Sequence, residues 1–224
     1  MTEHLLVMSF ISSIKTLLTL GRGVASGLPD ATEDMDPIDL FRAWFKAAKE
    51  SGILLPEATS LATATPDGGP SVRMVLLKDV DPRGFVFYTN YGSRKASEMD
   101  RNPRGALCFH WPVLQRQVRV SGRVERISKE ESRDYFATRT WETRVGAWAS
   151  KQSRNLSGRA ELEARVRDYR EKFSDNDVPL PSFWGGYRLQ PDQIEFWQGR
   201  ADRLHDRILF RRSPDGWGSE RLYP

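Results

Sequence analysis

The chain has a single cysteine, Cys108, among its 224 residues, so no disulfide can form within it and cysteine usage gives no sign of secretion. Histidine is almost as scarce. His4, His110 and His205 lie far apart in sequence, and no Cys/His cluster has metal-ligand spacing, so no metal is expected. Long runs of one charge are also missing. The 34 Lys and Arg residues fall in short clusters broken by 30 Asp and Glu, for a formal net charge of +4. That pattern suits discrete anion sites and argues against the continuous basic stripe of a nucleic-acid binder. Repeats and low-complexity segments are absent, and apolar residues at 39% sit near the globular average, which excludes disorder across the whole chain.

The one long apolar stretch, Leu5 to Leu20, is interrupted by Ser12, Ser13, Lys15, Thr16 and Thr19, which argues against a membrane span. It follows Met1-Thr2-Glu3-His4, without the basic residues that open a secretory signal, and Met8 offers a second start. It reads as an amphipathic helix packed on the protein or a partner subunit, with no membrane contact, and the protein is expected in the cytoplasm. Residues 21–36, rich in Gly, Asp and Pro, read as a linker. The expected division is an N-terminal arm over 1–35 and one folded domain over 36–224.

Asp36-Pro37 opens a helix in which Leu40, Phe41, Trp44, Phe45 and Ala48 recur at helical spacing, and Gly52 closes it. Strands at 60–65 and 72–78 flank the turn Pro66-Asp67-Gly68-Gly69-Pro70. The turn Asp81-Pro82-Arg83-Gly84 leads to the strand Phe85-Val86-Phe87-Tyr88, and a short helix starts at Ser93. Two more strands are expected at 104–111 and 116–126, where Cys108 reads as a buried, inert thiol. Helices near 128–139 and 156–173 flank a Gly-Ala-Trp segment, and strands return at 184–189, 193–198 and 203–211. Strands in consecutive runs with helices grouped between them predict a mainly β fold, an antiparallel barrel with flanking helices.

Strand alternation would put Arg203, His205 and Arg207 on one face of the last strand, with Leu204 and Asp206 on the other. That face is either exposed and neutralised by carboxylates or an anion site centred on His205, and the pattern does not choose. At Ser93-Arg94-Lys95 a helix N-cap is followed by two cations that oppose the macrodipole, an arrangement that makes sense where an anion binds. Arg73 and Lys78 close the apolar run Met74-Val75-Leu76-Leu77. Being five apart, they face opposite sides unless the strand bends. Tyr135, Arg139 and Thr143, spaced i, i+4, i+8, would share a helix face and could hold a phosphate.

Together these segments resemble the pyridoxamine 5′-phosphate oxidase family over roughly residues 36–224. The resemblance rests on Ser71-Val72-Arg73-Met74-Val75-Leu76-Leu77-Lys78, Gly84-Phe85-Val86-Phe87-Tyr88-Thr89-Asn90 and Gly92-Ser93-Arg94-Lys95. It extends through Arg116-Gln117-Val118, the run Gly146 to Ser153, Ile194-Glu195-Phe196-Trp197-Gln198, Arg203-Leu204-His205-Asp206-Arg207 and Glu220-Arg221-Leu222-Tyr223-Pro224. It implies a split β-barrel homodimer with FMN at the subunit interface. FMN contacts are implied at Arg73, Met74, Val75, Leu76, Leu77, Lys78, Tyr88, Thr89, Arg94 and Lys95. Gln117, Gln152, Ser153, Trp197 and Arg207 would complete that site, some from the other subunit.

The implied reaction oxidises pyridoxamine 5′-phosphate or pyridoxine 5′-phosphate to pyridoxal 5′-phosphate, with oxygen as acceptor and hydrogen peroxide as by-product. Lys78, Tyr135, Arg139 and Thr143 would grip the substrate phosphate. Arg203, Leu204 and His205 would meet the pyridine ring, with Arg203 and His205 catalytic. The family's usual Arg-Pro-Arg-x-Ser-Gln is replaced here by Arg139-Thr140-Trp141-Glu142-Thr143-Arg144. Thr143 keeps the hydroxyl, whereas Trp141 and Arg144 depart and bear on substrate affinity. The arm also lacks the family's Arg-Glu-Tyr-type segment. Two other readings remain: a phenazine-pathway oxidase on the same fold, and a flavin or pyridoxal-phosphate carrier without turnover.

Overall fold

In a computed structural model, Leu28 and residues 35–174 and 177–224 are described, so the expected arm lies almost wholly outside the described residues. Helix α1 (Pro37–Glu50) starts where the sequence places it. Asp36 caps it by accepting from the Ile38 N–H at 2.7 Å, and Pro37 fills the first turn, where no intrahelical N–H partner exists. Its buried residues, Ile38, Phe41, Trp44 and Ala48, form one stripe.

That stripe packs against an antiparallel sheet of β1 (Ala58–Ala64), β2 (Pro70–Asp81), β3 (Gly84–Asn90), β4 (Arg104–Trp111), β5 (Arg116–Arg126), β6 (Trp184–Gln198), β7 (Asp206–Ser213) and β8 (Gly216–Arg221). The first six close on themselves in the circular order β1-β2-β3-β6-β5-β4, and β7 and β8 extend the sheet from β6. Closure removes most open edges. Within the barrel, β2 pairs with β1 over Pro70–Leu76 but with β3 only from Leu77 onward, so the outer edge of 70–76 has no partner strand among the described residues. The barrel is split there.

Phe41, Phe85 and Phe109 fill the interior, with ring centroids 4.8 and 5.0 Å from Phe41, and Trp44 meets Phe196 edge-on at 5.2 Å. Each such pair adds ~0.5–1.5 kcal/mol beyond its buried area. Gly84 sits at φ 136°, and a Cβ there would lie 2.1 Å from the Leu189 carbonyl oxygen, so the β2–β3 turn admits no larger residue. Helices α2 (Arg94–Arg101), α3 (Lys129–Ala137), α4 (Trp141–Ala149) and α5 (Arg159–Lys172) lie outside the barrel. A second apolar cluster of Phe136, Val145, Phe173, Val178 and Trp184 joins α3, α4 and α5 to the start of β6.

Several expectations are corrected. The strands expected at 184–189 and 193–198 are one strand. Pro191 is accommodated opposite Gly122, where the β5–β6 register shifts, because a bulge needs no ladder donor at that point. The strand expected from 203 begins only at Asp206. Arg203 instead ends a short 3-10 turn (Ala201–Arg203), where Asp202 and Arg203 take φ 56° and 60°. Arg203, His205 and Arg207 therefore do not share a strand face. The helix carrying Tyr135 stops at Ala137, and Thr140 caps a separate α4, so Tyr135, Arg139 and Thr143 lie on no common helix. Strand β8 was not expected. Cys108 is half-buried rather than buried, and burial pushes its thiol up.

Candidate active site

A cavity of about 770 Å³ opens between the split edge of β2, the end of β3, and helices α3 and α4. Eleven of the expected site residues line it: Met74, Val75, Leu76, Lys78, Tyr88, Thr89, Lys95, Tyr135, Arg139, Thr143 and Gln152. The unpaired edge of β2 explains its share. Main-chain groups of 70–76 that would serve a neighbouring strand are left facing the cavity side. Lys78 has no partner in the β2–β3 ladder, because the register shifts between Leu77 and Asp79. The strand thus bulges at the cation that closes its apolar run. Leu77 and Arg73 point inward instead, and neither lines the cavity.

Ser93 caps α2 as the sequence predicts, its hydroxyl accepting from the Ala96 N–H. The two cations that follow part ways. Arg94 is exposed and bonds Glu98 at 2.8 Å, whereas Lys95 is buried, and among the described residues its ammonium donates only to neutral oxygens: Thr89 Oγ1 at 3.1 Å and Gln152 Oε1 at 3.0 Å. Burial, aided by the nearby Arg73 charge, lowers Lys95 to about 8.

In the same cavity, Tyr135 stacks on Tyr88 at 3.9 Å, and Tyr88 lies 5.3 Å from Trp184. Burial first, then the neighbouring Tyr135, pushes the Tyr88 phenol up to about 12. The Arg139 guanidinium lies 4.8 Å over the Trp184 ring. Its Nη1 is buried with no hydrogen-bond partner among the described residues, and partial burial lowers the pKa of the guanidinium. Thr143 Oγ1 donates to the Thr140 carbonyl at 2.9 Å and accepts from Thr140 Oγ1 at 3.2 Å. Trp141 and Arg144, where the sequence departs from the family, do not line the cavity: Trp141 packs on the helical cluster and Arg144 pairs with Asp177.

A second group of expected residues gathers elsewhere, across β5, β6 and β7. Gln117 pairs in register with Trp197, and Trp197 with Arg207. The His205 ring lies 4.7 Å from Trp197. Glu195 holds both Arg207, at 2.9 Å, and Arg119. Burial alone would raise the Glu195 carboxyl, but these two arginines keep it below the ordinary carboxylate range. Arg203 and Leu204 are exposed, Leu204 at 70%. None of this group lines the cavity, and Ser153, which follows Gln152 at φ 67°, does not either. The expected residues therefore fall into two separate groups in one chain.

Sequence reasoning missed Glu98, which receives Arg73, Arg94, Thr63 and Ser71, as well as Glu195 and Trp184. The i, i+4 spacing of Arg94 and Glu98 was the one available signal for the first of these.

A family model described as pyridoxamine 5′-phosphate oxidase matches residues 45–173, and one described as the pyridoxine 5′-phosphate oxidase C-terminal dimerisation region matches 184–224. The chain belongs to the pyridoxamine 5′-phosphate oxidase family. A family relative from Psychromonas ingrahamii, named pyridoxine/pyridoxamine 5′-phosphate oxidase, is 54% identical over 97% of this chain and 100% of its own. A relative of the same name from Rubrobacter xylanophilus is 54% identical over 89% of this chain and 92% of its own. Among solved structures, PhzG from Burkholderia lata in complex with tetrahydrophenazine-1-carboxylic acid matches with a TM-score of 0.85. It is 30% identical and covers 90% of this chain and 100% of its own. A pyridoxamine 5′-phosphate oxidase-related FMN-binding protein from Nostoc punctiforme shares the fold at 19% identity and a TM-score of 0.69. The expected split barrel is thus the family fold. Among the described residues, no helix is long and apolar enough to cross a membrane.

Proposed function

We propose that the chain oxidises pyridoxamine 5′-phosphate and pyridoxine 5′-phosphate to pyridoxal 5′-phosphate, using FMN and oxygen and releasing hydrogen peroxide. The observation that carries this reading is a half-buried guanidinium, Arg139, whose buried Nη1 has no acceptor among the described residues, in the same cavity as the buried Lys95 ammonium, which there has only neutral hydrogen-bond partners. Buried cations without counter-charges are costly unless an anion joins them. Two such groups in one cavity fit two phosphates, one on the flavin and one on the substrate.

When bound, FMN supplies the redox chemistry, taking a hydride from the substrate's 4′-carbon and passing the electrons to oxygen. The chain supplies position and charge. Lys95, Arg94, Thr89 and Gln152 would hold the flavin's anionic end, and the open main-chain edge at Arg73, Met74, Val75 and Leu76, next to Leu77 and with Tyr88, would hold the rest of it. Lys78, Tyr135, Arg139 and Thr143 grip the substrate phosphate. Gln117, Ser153, Trp197 and Arg207, with Arg203, Leu204 and His205, complete the site from a second copy of the chain, Arg203 orienting the pyridine ring. An amine substrate leaves an imine that water hydrolyses, and an alcohol gives the aldehyde directly.

The decisive experiment records the visible spectrum of the purified protein, then supplies each phosphorylated substrate. Pyridoxal 5′-phosphate and peroxide should appear together. A flavin colour that substrate fails to bleach without oxygen would point to a carrier instead. Turnover of a phenazine ring but of neither phosphate ester would favour the PhzG-like alternative, which leaves Lys78, Tyr135 and Arg139 without a phosphate to bind.

Lys95→Met should weaken FMN binding roughly 10- to 100-fold, as expected for losing charged hydrogen bonds of ~1.5–3 kcal/mol. An anion binds the ammonium form, so wild-type affinity should fall as pH rises past about 8, and Lys95→Met should lack that fall. Fluorescence titration of FMN reads both, and equal affinity in the two proteins would remove Lys95 from the site. On β2, Val72, Met74 and Leu76 leave an apolar stripe 68%, 61% and 37% exposed beside the open edge. A second copy covering it would bury that stripe. Met74→Asp should therefore convert the dimer to monomer in light scattering and release FMN at the same time. A dimer that persists with flavin bound would place the interface elsewhere.

A further inference from the structure

We infer that the turn between β6 and β7 locks His205 as its Nε2–H tautomer, so that it acts as a neutral hydrogen-bond donor to substrate and not as a base. The role towards substrate rests on the proposed oxidation; the tautomer does not. The Arg200 backbone N–H donates to His205 Nδ1 at 3.2 Å. A neutral imidazole has one N–H and one bare nitrogen, and the nitrogen that accepts must be the bare one. The proton is then on Nε2. An imidazolium would instead set an N–H against the Arg200 N–H.

The bond is built into the turn. Arg200 Nε binds Asp206 Oδ2 at 2.7 Å, closing a bracket around the segment, and Leu204 N–H donates to the Ala201 carbonyl at 3.1 Å. Gly199 N–H donates to the Gln115 carbonyl at 2.8 Å, which ties the start of the turn to the residue that ends a 3-10 turn (Pro112–Leu114) before β5. Asp202 and Arg203 are both held at positive φ, a conformation that non-glycine residues keep only where the surroundings impose it. The Trp197 ring, 4.7 Å away and tilted by 46°, covers the imidazole. Among the described residues no carboxylate hydrogen-bonds either ring nitrogen. A histidine that serves as general base characteristically has its far nitrogen donating to an orienting acceptor. Here that polarity is reversed, with a donor in the orienting place. Asp206, the carboxylate next in sequence, is taken by Arg200.

The test has two arms. In the flavin-loaded wild-type protein without substrate, labelled with 15N-histidine, the His205 spectrum at alkaline pH should show a bare, pyridine-like Nδ1 and a protonated Nε2. A protonated Nδ1 overturns the inference, and this arm reads correctly even if the protein turns over neither phosphate ester. In the second arm, a glutamine amide can place its N–H where Nε2–H lies, whereas an asparagine amide reaches only as far as Nδ1. His205→Gln should therefore keep at least about 10-fold more kcat than His205→Asn, on the scale of one hydrogen bond to substrate. If Gln is no faster than Asn while the wild-type protein is active, His205 is not a donor to the substrate.

Discussion

Replacing Arg139 with methionine should raise KM for pyridoxine 5′-phosphate by about 10- to 100-fold while leaving the melting temperature unchanged or higher. The two effects have one cause. Nη1 of Arg139 is buried without an acceptor among the described residues, and partial burial already lowers the pKa of the guanidinium. A desolvated cation lacking a counter-charge weakens the fold, so an apolar side chain of similar length should be tolerated there. Methionine would still pack against Trp184 and Phe136, the rings now under the guanidinium. With substrate present the balance reverses. Charged hydrogen bonds to a phosphate contribute ~1.5–3 kcal/mol, about a factor of 10 to 100 in affinity. The phosphate is not the reacting group, so kcat at saturation should change much less than KM. Steady-state kinetics beside a thermal melt reads both. An unchanged KM would remove Arg139 from the phosphate grip, and a large loss of melting temperature would mean that its packing on Trp184 outweighs its missing acceptor.

Arg139 also marks how far the sequence could be read. The i, i+4, i+8 spacing grouped Tyr135, Arg139 and Thr143 correctly, but for a reason that does not hold. The helix ends at Ala137, and Thr140 starts another, so the three meet because a helix–turn–helix corner folds around the cavity. Local rules worked where one residue type decides the outcome: Asp36-Pro37 at the start of α1, Ser93 at the start of α2, and Gly84 in the β2–β3 turn. They failed where tertiary pairing decides. Two strands were expected at 184–189 and 193–198, but a bulge against Gly122 lets β6 run through Pro191 as one. Arg203 to Arg207 looked like one alternating strand, yet the Arg200–Asp206 bracket bends its first half into a turn. Arg73 is the clearest limit. Its position in an apolar strand gives no hint that a carboxylate 25 residues later, on a different element, holds its guanidinium inside the barrel wall.

That carboxylate, Glu98, should be the most stability-sensitive polar residue near the site. Its side chain is 1% exposed and receives hydrogen bonds from Thr63, Ser71, Arg73 and Arg94. Arg73 in turn donates to Thr63, Ser71 and the Leu61 carbonyl, so one network ties α2 to β1 and β2. Removing one partner of a buried pair costs ~3–5 kcal/mol, because the other charge is left behind. The lower end applies to Glu98→Ala, since the Arg73 and Arg94 side chains keep 20% and 64% exposure and can be partly hydrated. For a chain of this size ~3 kcal/mol corresponds to a melting temperature lower by about 6–12 °C.

The effect should depend on pH in a set direction. Burial would raise the Glu98 carboxyl, but hydrogen bonds from Ser71, Thr63 and Arg94 and the charge of Arg73 outweigh it and hold the group at about 2, against 4.5 for a free glutamate. A carboxylate lowered in the folded state stabilises fully above 4.5, and that contribution drains away as pH falls towards 2. Glu98→Gln keeps an acceptor oxygen but has no charge to lose. Wild type should therefore exceed Glu98→Gln in stability near neutral pH, with the gap closing in acid, when both are unfolded by denaturant at one protein concentration. The same network sets the start of the helix that carries Lys95, so Glu98→Ala should also bind FMN more weakly while still folded. A gap that stays constant from neutral to acid pH would mean that Glu98 acts through its shape and hydrogen bonds alone, and that its charge does not hold Arg73 in place.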